Sequence, residues 1–198
     1  MSSAPRPPGR GYRYVGPGEL RALVRPGGEG RGIRSAADLR DWLRAAAPGE
    51  RAEPFTYVVD GAGVLRLAPR RSEHVACAGG APVLAAGEMG FREESGQWRA
   101  DAVSNQSTGY CPDTASWPDV AAALAAAGIA HPAGFTHPVV FRRCPGCREV
   151  NIVREGDFVC VFCETELPRT WNVDGERPPG GGPGGGGRPP PPPPAGGR

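Results

Sequence analysis

Two Cys-x-x-Cys pairs, Cys144-Pro145-Gly146-Cys147 and Cys160-Val161-Phe162-Cys163, lie twelve residues apart and constrain this chain more than any other feature. A CxxC pair forms a tight knuckle that offers two sulfurs to one ion, and Pro145-Gly146 supplies the turn of the first. Residues 149–154 and 157–160 read as two strands joined at Glu155-Gly156. A hairpin of that length brings the knuckles together, as a tetrahedral site requires. Four cysteines leave no open position for water, so the expected occupant is one structural Zn²⁺ held by Cys144, Cys147, Cys160 and Cys163. A disulfide pair and a redox CxxC are the rival readings; the doubled motif in a reducing compartment favours metal. Four thiolates around Zn²⁺ carry a local charge of −2, which Arg142, Arg143, Arg148 and Arg154 stand close enough in sequence to offset.

A ribbon over residues 139–168 is too small to be held by burial alone. The remainder must supply the main core, and composition says where it lies. The 31 Gly and 24 Pro make up more than a quarter of the 198 residues, and most of the excess is terminal. Segments 1–10 and 175–198 have almost nothing apolar to bury and are expected to be disordered, with Pro189–Pro194 in polyproline II. That leaves residues 11–135 for a folded unit ahead of the ribbon. A net charge of +2 builds no field strong enough to single out nucleic acid or anionic lipid. All 23 basic residues are Arg, which suits phosphate or carboxylate recognition through the guanidinium fork, although the accompanying wealth of Ala, Gly and Pro favours base composition as the reason. No apolar run approaches the ~18 residues of a membrane span, and no charged-then-apolar leader opens the chain. The expected setting is cytoplasmic, away from the membrane.

Within 11–135 the apolar spacing changes period. Ser35 caps a helix with Asp38 three residues on, Leu39, Trp42, Leu43 and Ala46 repeat at helical spacing, and Pro48-Gly49 stops it. Residues 55–59 and 64–67 flank Asp60-Gly61-Ala62-Gly63, a hairpin signal. Residues 82–84 and 89–91 read as further short strands and 97–103 as another. Pro118 in the first turn and Gly128 at the end delimit a second, alanine-rich helix. Helix, strands, helix is the order of an α+β fold: a small antiparallel sheet with two main helices, followed by the zinc-ribbon hairpin.

Segment 74–112 is the most distinctive stretch outside the ribbon. It reads His74-Val-Ala-Cys77-Ala-Gly79-Gly80-Ala-Pro82-Val83, then Ala86-Gly87-Glu88, then Ser104-Asn105-Gln106-Ser107-Thr108-Gly109-Tyr110-Cys111-Pro112. From His74 to about Gly128 it resembles a domain with the pattern HSSFLxGxPVxxAGE, a turn, NxSGHYxP and a helix. That domain occurs in bacterial toxin-like proteins, and a related pattern occurs in plant IQ-motif calmodulin-binding proteins. His74, Glu88, Asn105, Ser107 and Tyr110 stand at matching places. Val75 and Ala76 replace the two serines after the histidine, and Gly109 replaces the histidine of GHY. If the family uses those side chains in catalysis, the resemblance implies an activity lost here.

On chemistry alone, His74 and Glu88 are an acid–base or base–orienter candidate pair, and Asn105, Ser107 and Tyr110 are candidate ligand-binding groups. The same Asn and Ser side chains equally suit a self-satisfied turn. Cys77, three residues from His74, suggests a Cys–His nucleophile, but on one strand the two would face opposite sides. A small buried packing role suits Cys77 and Cys111 better. His131 and His137, each before a proline, read as loop residues. The function expected from these readings is a non-catalytic binding or interaction module with a structural zinc ribbon and a protein partner. Two alternatives stay open: a group-transfer enzyme acting on a nucleotide or protein through segment 74–110, and a nucleic-acid-binding zinc-ribbon protein. Against the last, Glu149, Glu155, Asp157, Glu164 and Glu166 dilute the arginines.

Overall fold

The structure is a computed structural model that describes residues 11–173; the two tails expected to be disordered lie outside the described residues. It has an α+β fold. Five antiparallel strands, β1 (Arg31–Ile33), β2 (Phe55–Asp60), β3 (Leu65–Ala68), β4 (Val83–Glu94) and β5 (Gln97–Val103), form one sheet in the order β1-β3-β2-β4-β5. β2 is central, and its first five residues are all buried, because both faces of the sheet are covered. Phe55, Tyr57 and Val59 face one side with Leu65, Leu67, Met89 and Phe91, while Val58 faces the other with Ala86 and Val83.

Two ten-residue helices, α2 (Ala36–Ala45) and α5 (Trp117–Ala126), cover the first face. Leu39 and Leu43 of α2 and Val120, Ala123 and Leu124 of α5 enter the core at helical spacing. Ser35 accepts the Asp38 amide at 3.1 Å, and Asp38 accepts the Arg34 amide at 2.9 Å, one residue earlier than in a standard capping box. Gly128, with φ +68°, closes α5 in the left-handed conformation. The opposite face is covered by the N-terminal segment, including the short helix α1 (Gly18–Ala22), by the single turn α4 (His74–Cys77), and by the loop carrying Tyr110. α3 (Pro48–Arg51) is a further exposed turn.

The hairpin expected at Asp60-Gly61-Ala62-Gly63 joins β2 to β3. Asp60 Oδ1 accepts the amides of Ala62 and Val64, both at 3.0 Å, and its Oδ2 accepts Arg66 Nε at 2.7 Å. One expectation needs correction. The strands expected at 82–84 and 89–91 are not separate: Val83-Leu84 and residues 89–91 belong to the single twelve-residue β4, which continues to Glu94. The Ala-Ala-Gly between them looks like a break in sequence, yet it is the stretch where backbone from the β5 end comes closest. A Cβ on Gly87 would run into the Ser104 carbonyl. Gly87→Ala should therefore cost about 3 kcal/mol or more, since the obstacle is backbone rather than a movable side chain. The midpoint of urea unfolding would read this directly.

The ribbon strands β6 (Val140–Arg143) and β7 (Val150–Val153) pair antiparallel with each other. Residues 136–139 tie them to the sheet. Thr136 Oγ1 accepts the Val103 amide at 2.8 Å, and Ser104 and His137 form a parallel bridge. Trp171 returns beyond the ribbon. Its indole donates to the Cys111 carbonyl at 2.8 Å and stands edge-on to Tyr12 with ring centres 5.1 Å apart, so it seals the junction between ribbon and sheet.

Candidate metal centre

The ribbon places the strands differently from the sequence expectation. The main ladder runs across the first knuckle, between residues 140–143 and 150–153, and the turn at Glu155-Gly156 is framed only by the Arg154–Asp157 bridge. The correction has a physical reason: Val139, Phe141, Val150 and Ile152 are the apolar residues available to face the rest of the protein, whereas 154–157 is Arg-Glu-Gly-Asp.

The two knuckles repeat one geometry. The Cys144 carbonyl accepts the Arg148 amide at 3.0 Å, and the Cys144 amide donates to the Glu149 carbonyl at 2.9 Å. The Cys160 carbonyl accepts the Glu164 amide and the Cys160 amide donates to the Thr165 carbonyl, both at 2.9 Å. Arg148 and Glu164, each directly after the second cysteine, take the left-handed conformation at φ +70° and +61°. The result brings four sulfurs within 4.8 Å of one another. Cys144 lies 3.5 Å from Cys163, and Cys147 lies 3.6 Å from Cys160. A tetrahedron with metal–sulfur distances of about 2.3 Å has edges of about 3.8 Å, so the donor set fits a single thiophilic ion.

Groups around two of the sulfurs, those of Cys160 and Cys163, favour thiolate. Thr165 hydrogen-bonds Cys163 through both hydroxyl and amide, which with Cys144 brings that thiol down to about 6. Burial works against ionisation of Cys160, but the amides of Phe162 and Cys163 and the sulfur of Cys147 outweigh it and lower its thiol. Cys147 goes the other way. The Glu149 amide favours its thiolate, yet burial and the three neighbouring sulfurs push it up to about 12. Four sulfurs this close cannot all ionise without a cation among them. Asn151 completes the surround: its amide nitrogen lies 3.5 Å from Cys160 Sγ, and its oxygen accepts the Val161 amide at 3.0 Å. Sequence reading missed Thr165 and Asn151. For Asn151 the available signal was a lone amide side chain in the apolar run Val150-Asn151-Ile152-Val153.

Two of the arginines thought available to offset the cluster are otherwise engaged. Arg142, largely buried, donates to the carbonyls of Pro168, Phe141 and Arg169 at 3.0, 2.7 and 2.8 Å, clamping the returning chain. Arg143 donates to Val173 and Arg148 carbonyls. Among the described residues, neither His131 nor His137 joins the cysteine cluster. His131 hydrogen-bonds the Pro132 carbonyl and stands edge-on to Trp117, and His137 pairs with Thr136.

The other candidate residues lie on and beside the second face of the sheet. His74 opens the α4 turn, so Cys77 is one helical turn away rather than on a shared strand. The His74 Nε2–H donates to the Gly87 carbonyl at 2.9 Å, next to Glu88. Cys77 and Cys111 are buried, and burial pushes both thiols up to about 12, which suits packing and not nucleophilic attack. Asn105 is fully buried. Its amide nitrogen donates to the carbonyls of Pro112 and Val139 at 2.9 and 2.8 Å, and its oxygen accepts the Val139 amide at 2.7 Å. Ser107 accepts the Tyr110 amide at 3.4 Å, and the buried Tyr110 donates its hydroxyl to the Ala81 carbonyl at 2.7 Å. The structure thus brings His74 and Glu88 near one another through Gly87, and sets Asn105, Ser107 and Tyr110 to bracing backbone.

Burial lowers the His74 pKa from its ordinary value, against the Gly87 hydrogen bond and the nearby Glu88 and Glu73, which favour the charged ring. The unfolded chain therefore takes up this proton first. His74 contributes stability in full above about pH 6.5, and the contribution falls as pH drops below that value. His74→Gln retains a donor for Gly87 without titrating. The difference in unfolding free energy between the two proteins, followed from about pH 7.5 to 5, should shift against the histidine protein on acidification.

Searches against protein-family models, curated proteins and solved structures find no match to this chain.

Proposed function

We propose that this is a non-catalytic binding protein whose C-terminal ribbon is cross-linked by one structural Zn²⁺ and offers its second knuckle to a protein partner. The observation that carries the reading is the gathering of four cysteine sulfurs within 4.8 Å at the junction of two matched knuckles. Cys144, Cys147, Cys160 and Cys163 would hold the ion. Because they complete a tetrahedral shell, what Zn²⁺ supplies is a cross-link between two parts of the chain rather than a position for substrate.

The partner surface is supported by what the second knuckle exposes. Val161 and Phe162 are 77% and 64% exposed, with Val159 beside them at 43%. An aromatic and two β-branched residues at the tip of a metal-held turn form a small rigid anchor of the kind that concentrates binding energy at interfaces. The non-catalytic half of the reading draws on the candidate acid–base and ligand groups. His74, Asn105, Ser107 and Tyr110 are each committed to hydrogen bonds with backbone. It also fits the likeness of residues 74–128 to the toxin-like domain: the frame positions match, while Val75, Ala76 and Gly109 stand where polar groups would act. Cytoplasmic residence belongs to the same proposal; among the described residues no helix is long and apolar enough to cross a membrane.

Purified protein should carry about one zinc per chain, as a four-sulfur site binds one ion. Phe162→Asp should leave that zinc in place and abolish partner co-purification, whereas Cys163→Ser should lose both. Zinc-free protein with a fully ordered ribbon would refute the metal reading. Retention of the same partner by Phe162→Asp would refute the knuckle as the contact.

A further inference from the structure

A second feature lies at the edge of the helix-covered side of the sheet and involves none of the four cysteines. Between α2, the tip of the β4–β5 hairpin and the chain just after α5 there is a cleft of about 420 Å³. It continues along α2 into an adjoining space of about 420 Å³ that shares Arg40, Gly96 and Trp98. Either volume lies within the usual range of small-molecule sites, roughly 300–1,000 Å³.

The wall chemistry is uneven. Ala36 and Ala130 give an apolar floor and Trp98 an aromatic wall. Two arginines line the cleft. Arg99 donates to Glu94 at 2.9 Å through Nη1, which neutralises the acid in the cleft, while its Nε–H is buried without a hydrogen-bond partner. Arg40 is exposed on α2, makes no ion pair among the described residues, and borders both spaces. Arg51 extends the positive edge into the adjoining space, where Glu93 opposes it and Arg44 is paired with Asp41 at 3.6 Å.

We propose that this cleft binds a small organic anion of mononucleotide size, with a flat body against Trp98 and Ala130 and its anionic group between Arg40 and Arg99. The apolar floor and aromatic wall select a ring over a bare ion, and the guanidinium fork selects phosphate or carboxylate. The site is independent of the ribbon and of its partner.

The test is a calorimetric titration of the zinc-loaded full chain with AMP as probe and inorganic phosphate as comparison. AMP should bind with Kd below about 1 mM. Arg40→Ala should weaken it roughly tenfold or more, as loss of a charge-assisted contact does. Because Arg40 is solvent-exposed and unpaired, that variant should keep the circular dichroism and unfolding midpoint of the parent. Trp98→Leu should weaken AMP and leave phosphate unaffected. Absence of saturable AMP binding, an Arg40→Ala variant that binds AMP as well as the parent, or inorganic phosphate binding as tightly as AMP would each overturn the proposal.

Discussion

Replacement of Cys144 by serine is expected to eliminate zinc binding and unfold residues 139–168, leaving the five-stranded sheet intact. Cys144 is fully buried, its sulfur lies 3.5 Å from that of Cys163, and its amide anchors the first knuckle on Glu149. Around it the knuckles bury Cys160 and Leu167, with Cys147, Val153 and Phe158 partly covered, and the other buried residues between 139 and 168 are Phe141, Arg142 and Asn151. At ~25 cal/mol per Å² of apolar burial, so few side chains cannot offset the ordering of some thirty residues. Structural zinc contributes about 10–16 kcal/mol in isolated zinc peptides, which is the larger quantity by far. Hydrogen exchange separates the two regions. Amides of residues 144–167 should lose protection in Cys144→Ser, while those of the strand Phe55–Asp60 should keep theirs. A chelator that strips the metal should give the same pattern in the unmutated chain.

The second large effect is at Asn105. Its buried side chain makes three hydrogen bonds to backbone groups at Pro112 and Val139, so one residue joins the sheet end, the loop before α5 and the start of the ribbon. Asn105→Ala would leave an amide and two carbonyls without partners, at about 1–3 kcal/mol for each group left buried and unpaired. Part of that returns as water enters, and a net loss of about 3–5 kcal/mol is expected, in the range where buried networks are broken. Asn105→Asp should be worse despite near-identical shape, because a carboxylate would face two carbonyl oxygens it cannot donate to. Chemical denaturation of the three proteins would show the order Asn, then Ala, then Asp. Equal stabilities would mean that the side chain serves a ligand instead of the fold.

Asn105 also shows where sequence reading stops. Its polar neighbourhood, Asn105-Gln106-Ser107-Thr108, has the composition of a binding loop and equally of a loop that satisfies itself, and only partners at a separation of 34 residues decide. Long-range hydrogen bonds leave no local pattern. The elements governed by local chemistry were legible: the Ser35 cap, the Asp60 turn, Pro118 and Gly128 at the ends of α5, and the CxxC knuckles. The twelve-residue β4 was not, because Gly87 is required by the approach of Ser104 from a distant part of the chain, and a glycine in sequence looks like a break. Helix α4 was missed for a related reason. Its four residues have no period to read, and it exists because Val75 and Cys77 pack against the sheet. The ribbon was recognised by its cysteines while its strands were misplaced, since the metal-ligand spacing fixes which sulfurs meet and not which backbone segments pair.

The central claim is that one ion joins Cys144, Cys147, Cys160 and Cys163. X-ray absorption at the zinc edge of purified, full-length protein tests it most directly. The account predicts a single shell of four sulfur scatterers at about 2.3 Å. A shell containing nitrogen or oxygen, or protein that is metal-free while residues 144–167 stay protected from exchange, would contradict it.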